Sequence, residues 1–302
     1  MSDNFFSVAV IGNVGIDTNV YFNHSEPDFS VESNFTENID YVGQAGGFSS
    51  RILAQLGFST AFIGYIGEDC NGRFIKEEFA RDGINTSATM IDPTGTSRSI
   101  NFMFKDGRRK NFYDGKNHLN LKPDLNLCHE VLGSARVAYF HIPNWARNLL
   151  PVAKKLKIPI VCDIQDVADP TDHYRRDFIE SADYLFFSSV NHENPEPLMK
   201  YFSGLNSGQI QICGRGAKGC AVHRQGKIEY FPPVELPEPV IDTNGAGDGL
   251  ASGFIASHIL SGYSFEDSIL RAQLIARIIC THKASSSNLF NKHNLEELFQ
   301  NR

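Results

Sequence analysis

The segment Asp242-Thr243-Asn-Gly245-Ala246-Gly247-Asp248-Gly places two carboxylates at either end of a glycine-rich turn. Leu250-Ala-Ser-Gly-Phe-Ile-Ala-Ser-His-Ile-Leu follows, with Leu250, Phe254, Ile255, His258 and Ile259 near one helical face and Gly262 as the stop. A loop entering a helix presents unpaired backbone N–H groups and the positive end of the helix dipole, so it suits an anion. Gly245 and Gly247 let the backbone close on a phosphate. A carboxylate beside such a cradle can take the proton of an attacking hydroxyl. Asp248 stands at that place, and the helix N-terminus is expected to keep it ionised, as a base requires. The plainer alternative is that Asp248 only caps a helix entered by a tight turn.

The elements that must position this segment follow from apolar patterning. Strands are expected at Val8–Ile11, Ala61–Tyr65, Val137–His141, Ile158–Asp163, Tyr184–Ser188, Gln209–Cys213 and Cys220–Arg224. Helices are expected at Ser49–Leu56, from Asp69 to Gly83, and at Gly249–Leu260, Ser264–Cys280 and Asn294–Gln300. From residue 130 onward the two alternate, which implies βαβ units and a mostly parallel sheet. The fold class is therefore α/β. Residues 17–42 and 97–116 have strand character with one wet face, and Asp106-Gly107 suits a type I′ hairpin turn. They are assigned to a small β-lid. Pro232-Pro233 through Pro239 is a connecting loop.

Gly214-Arg-Gly216-Ala-Lys-Gly219 matches the dinucleotide fingerprint, but that fold needs a helix next. Here Cys220-Ala-Val-His-Arg-Gln-Gly-Lys-Ile-Glu-Tyr-Phe predicts a hairpin around Gln225-Gly226, so the dehydrogenase reading fails. No Walker A loop occurs.

Asp242-Thr-Asn-Gly-Ala-Gly-Asp248 resembles the signature Asp-Thr-x-Gly-Ala-Gly-Asp of the PfkB/ribokinase family of carbohydrate kinases. Gly46-Gly47, Ala54-Gln-Leu-Gly57 and Gly64-x-x-Gly67-x-Asp69-x-x-Gly72 resemble its first signature, and the resemblance spans nearly the whole chain. It implies one ribokinase-like three-layer α/β/α domain over residues 1–302, with lid segments at 17–42 and 97–116. It implies ATP and Mg²⁺ as cofactors, with K⁺ as a further candidate near Lys283–Asn288. Asp248 would be the catalytic base, and Gly245, Ala246 and Gly247 the anion hole. Asp242 and Thr243 would lie near the phosphates, and Gly214, Gly216 and Gly219 under the nucleotide. Asp17, Gly46, Gly47 and Asn144 would meet the sugar, with Trp145 beside Asn144.

Three positions depart from the family pattern. Gly15-x-Asp17 replaces Asn-x-Asp. Arg51 stands where Asn is usual; it either faces an anionic or carbonyl-bearing substrate or points outward on its helix. Of the magnesium-linked Asn-x-x-Glu, only the acid is matched, by Glu193, with Val190 in the Asn position. The alternatives kept are a nucleoside kinase on the same fold and a catalytically impaired nucleotide-binding regulatory protein.

The whole-chain properties agree. With 302 residues, 41% hydrophobic, the chain can bury a large core, and its net charge of −7 gives no general attraction to nucleic acid or anionic membrane. The N-terminal residues resemble no signal peptide, no apolar run is long enough to span a membrane, and the six cysteines form no C-x-x-C pair, so a cytoplasmic protein is expected. The partner is a small-molecule sugar or nucleoside. Phe102, Phe104 and Phe112 on the lid suggest a lid-to-lid homodimer. His24, His118, His173, His192 and His223 are expected at the surface.

Overall fold

The computed structural model describes residues 5–105, 108–289 and 291–300. In chain order the elements are β1 (Val8–Ile11), β2 (Gly15–Phe22), β3 (Thr36–Gly43), α1 (Gln44–Gln55), β4 (Thr60–Ile66), α2 (Cys70–Arg81) and β5 (Asn85–Ile91). Next come β6 (Ser97–Met103), β7 (Arg109–Asp114), α3 (Leu125–Gly133), β8 (Ala138–Phe140), α4 (Leu150–Leu156), β9 (Ile160–Asp166), α5 (His173–Ser181) and β10 (Tyr184–Ser188). Then follow α6 (Glu196–Leu205), β11 (Ile210–Gly214), β12 (Cys220–Arg224), β13 (Lys227–Phe231), α7 (Ala246–Phe254), α8 (Phe265–Ile279) and α9 (Lys292–Gln300).

The large sheet runs β13-β12-β11-β10-β9-β8-β1-β4-β5. It is parallel from β11 to β5, and β12 and β13 add antiparallel strands at one edge. Because both faces are covered, its central strands are apolar on both sides. Val8, Val10, Tyr139, Val161 and Phe186 pack with α1, α7 and α8 on one face. Ala9, Ile11, Phe140, Cys162, Leu185 and Phe187 pack with α3, α4, α5 and α6 on the other. From β1 the chain builds outward through β4 and β5, then returns to place β8 on the opposite side of β1. That reversal makes the β1/β8 boundary a topological switch point, where open α/β sheets form their ligand crevice.

The two expected lid segments form a second sheet of four strands, ordered β3-β2-β6-β7, with β2 parallel to β6. β6 and β7 pair antiparallel from Arg98↔Asp114 to Met103↔Arg109; the expected Asp106-Gly107 turn lies outside the described residues. The predicted β12–β13 hairpin is present, with Gln225 and Gly226 both at positive φ (51° and 76°) as a type I′ turn requires.

α1 begins at Gln44, five residues before the expected start. Glycines disfavour helix on propensity, which hid this first turn. Packing explains them: a Cβ on Gly46 would stand 2.6 Å from the Asn13 carbonyl oxygen, so only glycine lets α1 lie against the turn after β1. The half-buried β5 was not anticipated. The helix expected at Gly249–Leu260 starts at Ala246 and continues from Phe254 as a π-helical turn over Ile255–Leu260.

Candidate active site

Parallel register brings the first side chains together. Tyr139 pairs with Val161 and Phe140 with Cys162, so one step further His141 comes opposite Asp163. Both project to the face covered by α1 and α7, because they share it with Tyr139 and Val161. Asp248, in the first turn of α7, completes the group: His141, Asp163 and Asp248 each put a polar atom within 4.8 Å of the others. Ser49 of α1 links two of them, lying 3.0 Å from His141 Nε2 and donating to Asp248 Oδ1 at 3.4 Å.

Burial dominates the electrostatics here. It pushes the Asp163 carboxyl up to about 6 and lowers His141 to about 3, so the imidazole is neutral. Asp248 is raised well above the ordinary carboxylate range, first by desolvation and next by the Asp163 charge. The helix N-terminus is expected to keep Asp248 ionised, but burial and the neighbouring Asp163 carboxylate oppose it.

Asp17 of β2 forms another wall. Its Oδ2 accepts from the Gln44 amide at 3.3 Å, while Oδ1 is buried and unpaired. Burial raises this carboxyl to about 6. Asp17, Asn19 and Tyr21 share a face of β2, and the registers align Asn19 with Asn101 of β6 and Asn101 with Asn111 of β7. The amides form a ladder: Asn111 donates to Asn101 at 2.8 Å, Asn101 to Asn19 at 2.9 Å, and Asn19 to Asp242 at 2.7 Å. Asp242 Oδ2 also accepts from the Tyr21 hydroxyl at 2.9 Å and the Ala284 amide at 3.3 Å, while Oδ1 takes the Asn244 amide at 2.8 Å. Arg109 of β7 donates to the Asn244 side chain. The expectation put Asp242 near phosphate and magnesium; the structure makes it the joint between the small sheet and the loop before α7.

That loop keeps the shape of an anion cradle. Gly245 sits at φ +77°, and a Cβ there would press within 2.5 Å of the Phe48 ring. Gly249 donates to the Gly245 carbonyl, so the Gly247 and Asp248 amides precede the first intrahelical bond. A Cβ on Gly247 or on Gly216 would meet nothing within 4 Å, so both backbones face open space. Gly214, at the end of β11, and Gly219, at φ +80° before β12, frame the second glycine turn, while Thr243 is exposed. These residues fit a nucleotide's phosphates. A potassium ion fits poorly at Asp242, whose carboxylate already takes four protein donors, and Lys283 lies 4.0 Å over the Tyr21 ring.

Several expected residues lie elsewhere. Arg51 neither meets the crevice nor points outward. It is buried, bonded to Asp82 at 2.6 Å, Glu78 at 2.8 Å and Ser286 at 3.1 Å. Trp145 is fully buried against Tyr65. Asn144 donates to the Leu119 carbonyl at 2.7 Å. Glu193 is exposed on the turn after β10. His223, expected at the surface, is buried in β12. Sequence reasoning passed over Ser49, His141, Asn19, Asn101, Asn111 and Asn244. Two signals were present: Asn19 shares Asp17's face at strand spacing, and His141, like Asp163, closes a core strand candidate.

Comparison with known proteins agrees with this architecture. The family described as pfkB family carbohydrate kinase matches residues 7–291. The acarbose 7(IV)-phosphotransferase of an Actinoplanes species is 23% identical over 288 residues, covering 94% of this chain and 95% of that protein. A microbiome-derived acarbose kinase superposes with a TM-score of 0.90 at 25% identity, covering 98% of this chain and 100% of that one. Arabidopsis thaliana ribokinase, solved with ribose and ATP, superposes with a TM-score of 0.83 at 19% identity over 98% of this chain and 99% of its own. The family match over nearly the whole chain, on a ribokinase-like fold, shows that this protein belongs to the pfkB family of carbohydrate kinases.

Proposed function

We propose that this kinase transfers the γ-phosphoryl group of ATP to a hydroxyl of a neutral, polyhydroxylated sugar, with Asp248 as the general base. One observation carries the reading: Asp248 stands in the first turn of α7 beside the open Gly247 backbone, in a crevice shared with the unpaired Asp17 oxygen. A sugar hydroxyl satisfies that oxygen, and the Asn and Gln side chains around it can both donate and accept. Among the described residues, Asp17, Asp163, Asp242 and Asp248 place four carboxyl groups here against Arg109 and the more distant Lys283, which disfavours acidic sugars. The ATP and ribose of the plant ribokinase complex and the two acarbose-directed relatives support the same substrate class.

In this mechanism the sugar lies under the small sheet, which acts as a lid, against Asp17, Gly46 and Gly47. Asp248 takes the hydroxyl proton as that oxygen bonds to the γ-phosphorus and the bond to the bridging oxygen of ADP breaks. The amides of Gly247 and Asp248 offset the charge on the phosphoryl oxygens. Gly214, Gly216 and Gly219 lie under the nucleotide. A magnesium ion bound with the nucleotide would supply further charge neutralisation, and Glu193, exposed on the turn after β10, would be the carboxylate to reach it through water. On the lid's outer face Ile100 and Phe112 are exposed beside Phe102, a surface suited to a second copy of the chain.

The test is ADP release with Mg-ATP across neutral sugars, including ribose and acarbose, sugar acids, sugar phosphates and nucleosides. Turnover dependent on a neutral sugar supports the reading. ATP binding without turnover on any compound would instead indicate a regulatory protein.

A further inference from the structure

We infer that His141 and Ser49 form a directional hydrogen-bonded chain that positions Asp248 and holds it as an acceptor, with the single His141 proton on Nε2. The inference rests on the reading of Asp248 as the base, and it concerns two residues to which the family signatures assign no role.

His141 is 1% exposed and Ser49 wholly buried. Burial keeps the imidazole neutral, so it carries one N–H. Nε2 lies 3.0 Å from Ser49 Oγ, whereas Nδ1 is buried with no partner. An orphaned buried N–H is rarer than an orphaned acceptor, so the proton belongs on Nε2, where it can be donated. Ser49 Oγ then accepts from His141 and has its own proton free for Asp248 Oδ1, at 3.4 Å. That contact is long, as catalytic hydrogen bonds often are before substrate binds. The chain ends on one carboxylate oxygen and leaves Oδ2 for the substrate proton.

Burial and two facing carboxylates favour the protonated form of Asp248. Asp163 approaches from β9 and Asp17 from β2, both adding negative charge. Tyr139 of β8, its ring 4.5 Å from that of His141, brings a buried hydroxyl with no partner of its own. Ser49 stabilises the charged form against these effects. Its hydroxyl should therefore help to keep the base active at neutral pH.

The experiment compares kcat/KM against pH for the wild type, Ser49→Ala, His141→Leu and His141→Gln, with ATP affinity measured alongside. Loss of a hydrogen bond to the charged form should move the acidic limb of Ser49→Ala and His141→Leu upward by about one pH unit. ATP affinity should stay unchanged. His141→Gln keeps an amide donor and should restore the limb toward the wild-type position. Nitrogen-15 NMR of the wild type should show His141 protonated on Nε2 and not titrating above pH 5. An unmoved limb in Ser49→Ala, or a proton on Nδ1, would overturn the inference. Full activity in Asp248→Asn would instead sink the base assignment and leave the tautomer result standing.

Discussion

The Asn19 carboxamide donates to Asp242 Oδ2 at 2.7 Å, tying the small sheet to the loop that precedes α7. With the Tyr21 hydroxyl at 2.9 Å and the Asn111–Asn101–Asn19 ladder behind it, this joint fixes where the Asp17 wall stands relative to Asp248. A hydrogen bond to a charged group contributes roughly 1.5–3 kcal/mol. Asn19→Ala should lower kcat/KM for the sugar by roughly 10- to 100-fold, within that energy. Steady-state kinetics with sugar varied at saturating ATP checks this; unchanged kinetics would mean that the joint is only structural.

Asp17 predicts opposite effects on stability and function. Its folded pKa, about 6, lies above the ordinary Asp value, so protonation favours the folded state. The stability it contributes is complete below the unfolded pKa of about 3.9 and is lost as pH rises through about 6. At pH 7 Asp17→Asn should therefore stabilise the protein by roughly 1–3 kcal/mol, raising Tm by several degrees. The same change removes an acceptor of two hydroxyls, so KM for the sugar should rise tenfold or more. In the wild type KM should rise as pH falls below about 6. Thermal melts and kinetics at pH 7 and pH 5 read both effects.

Arg51 is a structural cation. Its buried guanidinium bridges Glu78 and Asp82 of the α2 region to Ser286, and Ser286 in turn donates to the Val42 carbonyl. Removing one partner of a buried ion pair costs roughly 3–5 kcal/mol. Arg51→Ala should therefore destabilise the fold by that amount in denaturant unfolding. Any folded fraction should bind sugar with near wild-type affinity. A selective loss of sugar affinity in a stable variant would return Arg51 to the substrate.

The alternation of strands and helices, the second sheet and the Gln225-Gly226 hairpin were legible because period and turn chemistry are local. The Asp248 loop was legible because a glycine-rich helix entry beside a carboxylate has few other uses. What stayed hidden depends on register and layer. His141 meets Asp163 only because β8 and β9 pair in parallel at that offset, and His141 meets Ser49 only because α1 covers that face. The asparagine ladder needs three strands aligned, two of them roughly 80 residues or more from Asn19 in sequence. Arg51 misled because its partners Glu78 and Asp82 look like ordinary surface acids of an amphipathic helix until α2 is packed beside α1.

The central claim is that Asp248 takes the proton of the sugar hydroxyl. Single-turnover ADP formation by Asp248→Asn, compared with the wild type on the sugar found in the substrate panel, tests it most directly. General-base catalysis contributes about 10²- to 10⁴-fold, so the rate should fall by that factor while ATP affinity stays near wild type and Tm does not fall. A rate within a few-fold of wild type would contradict the account and move the base to another residue of the cluster.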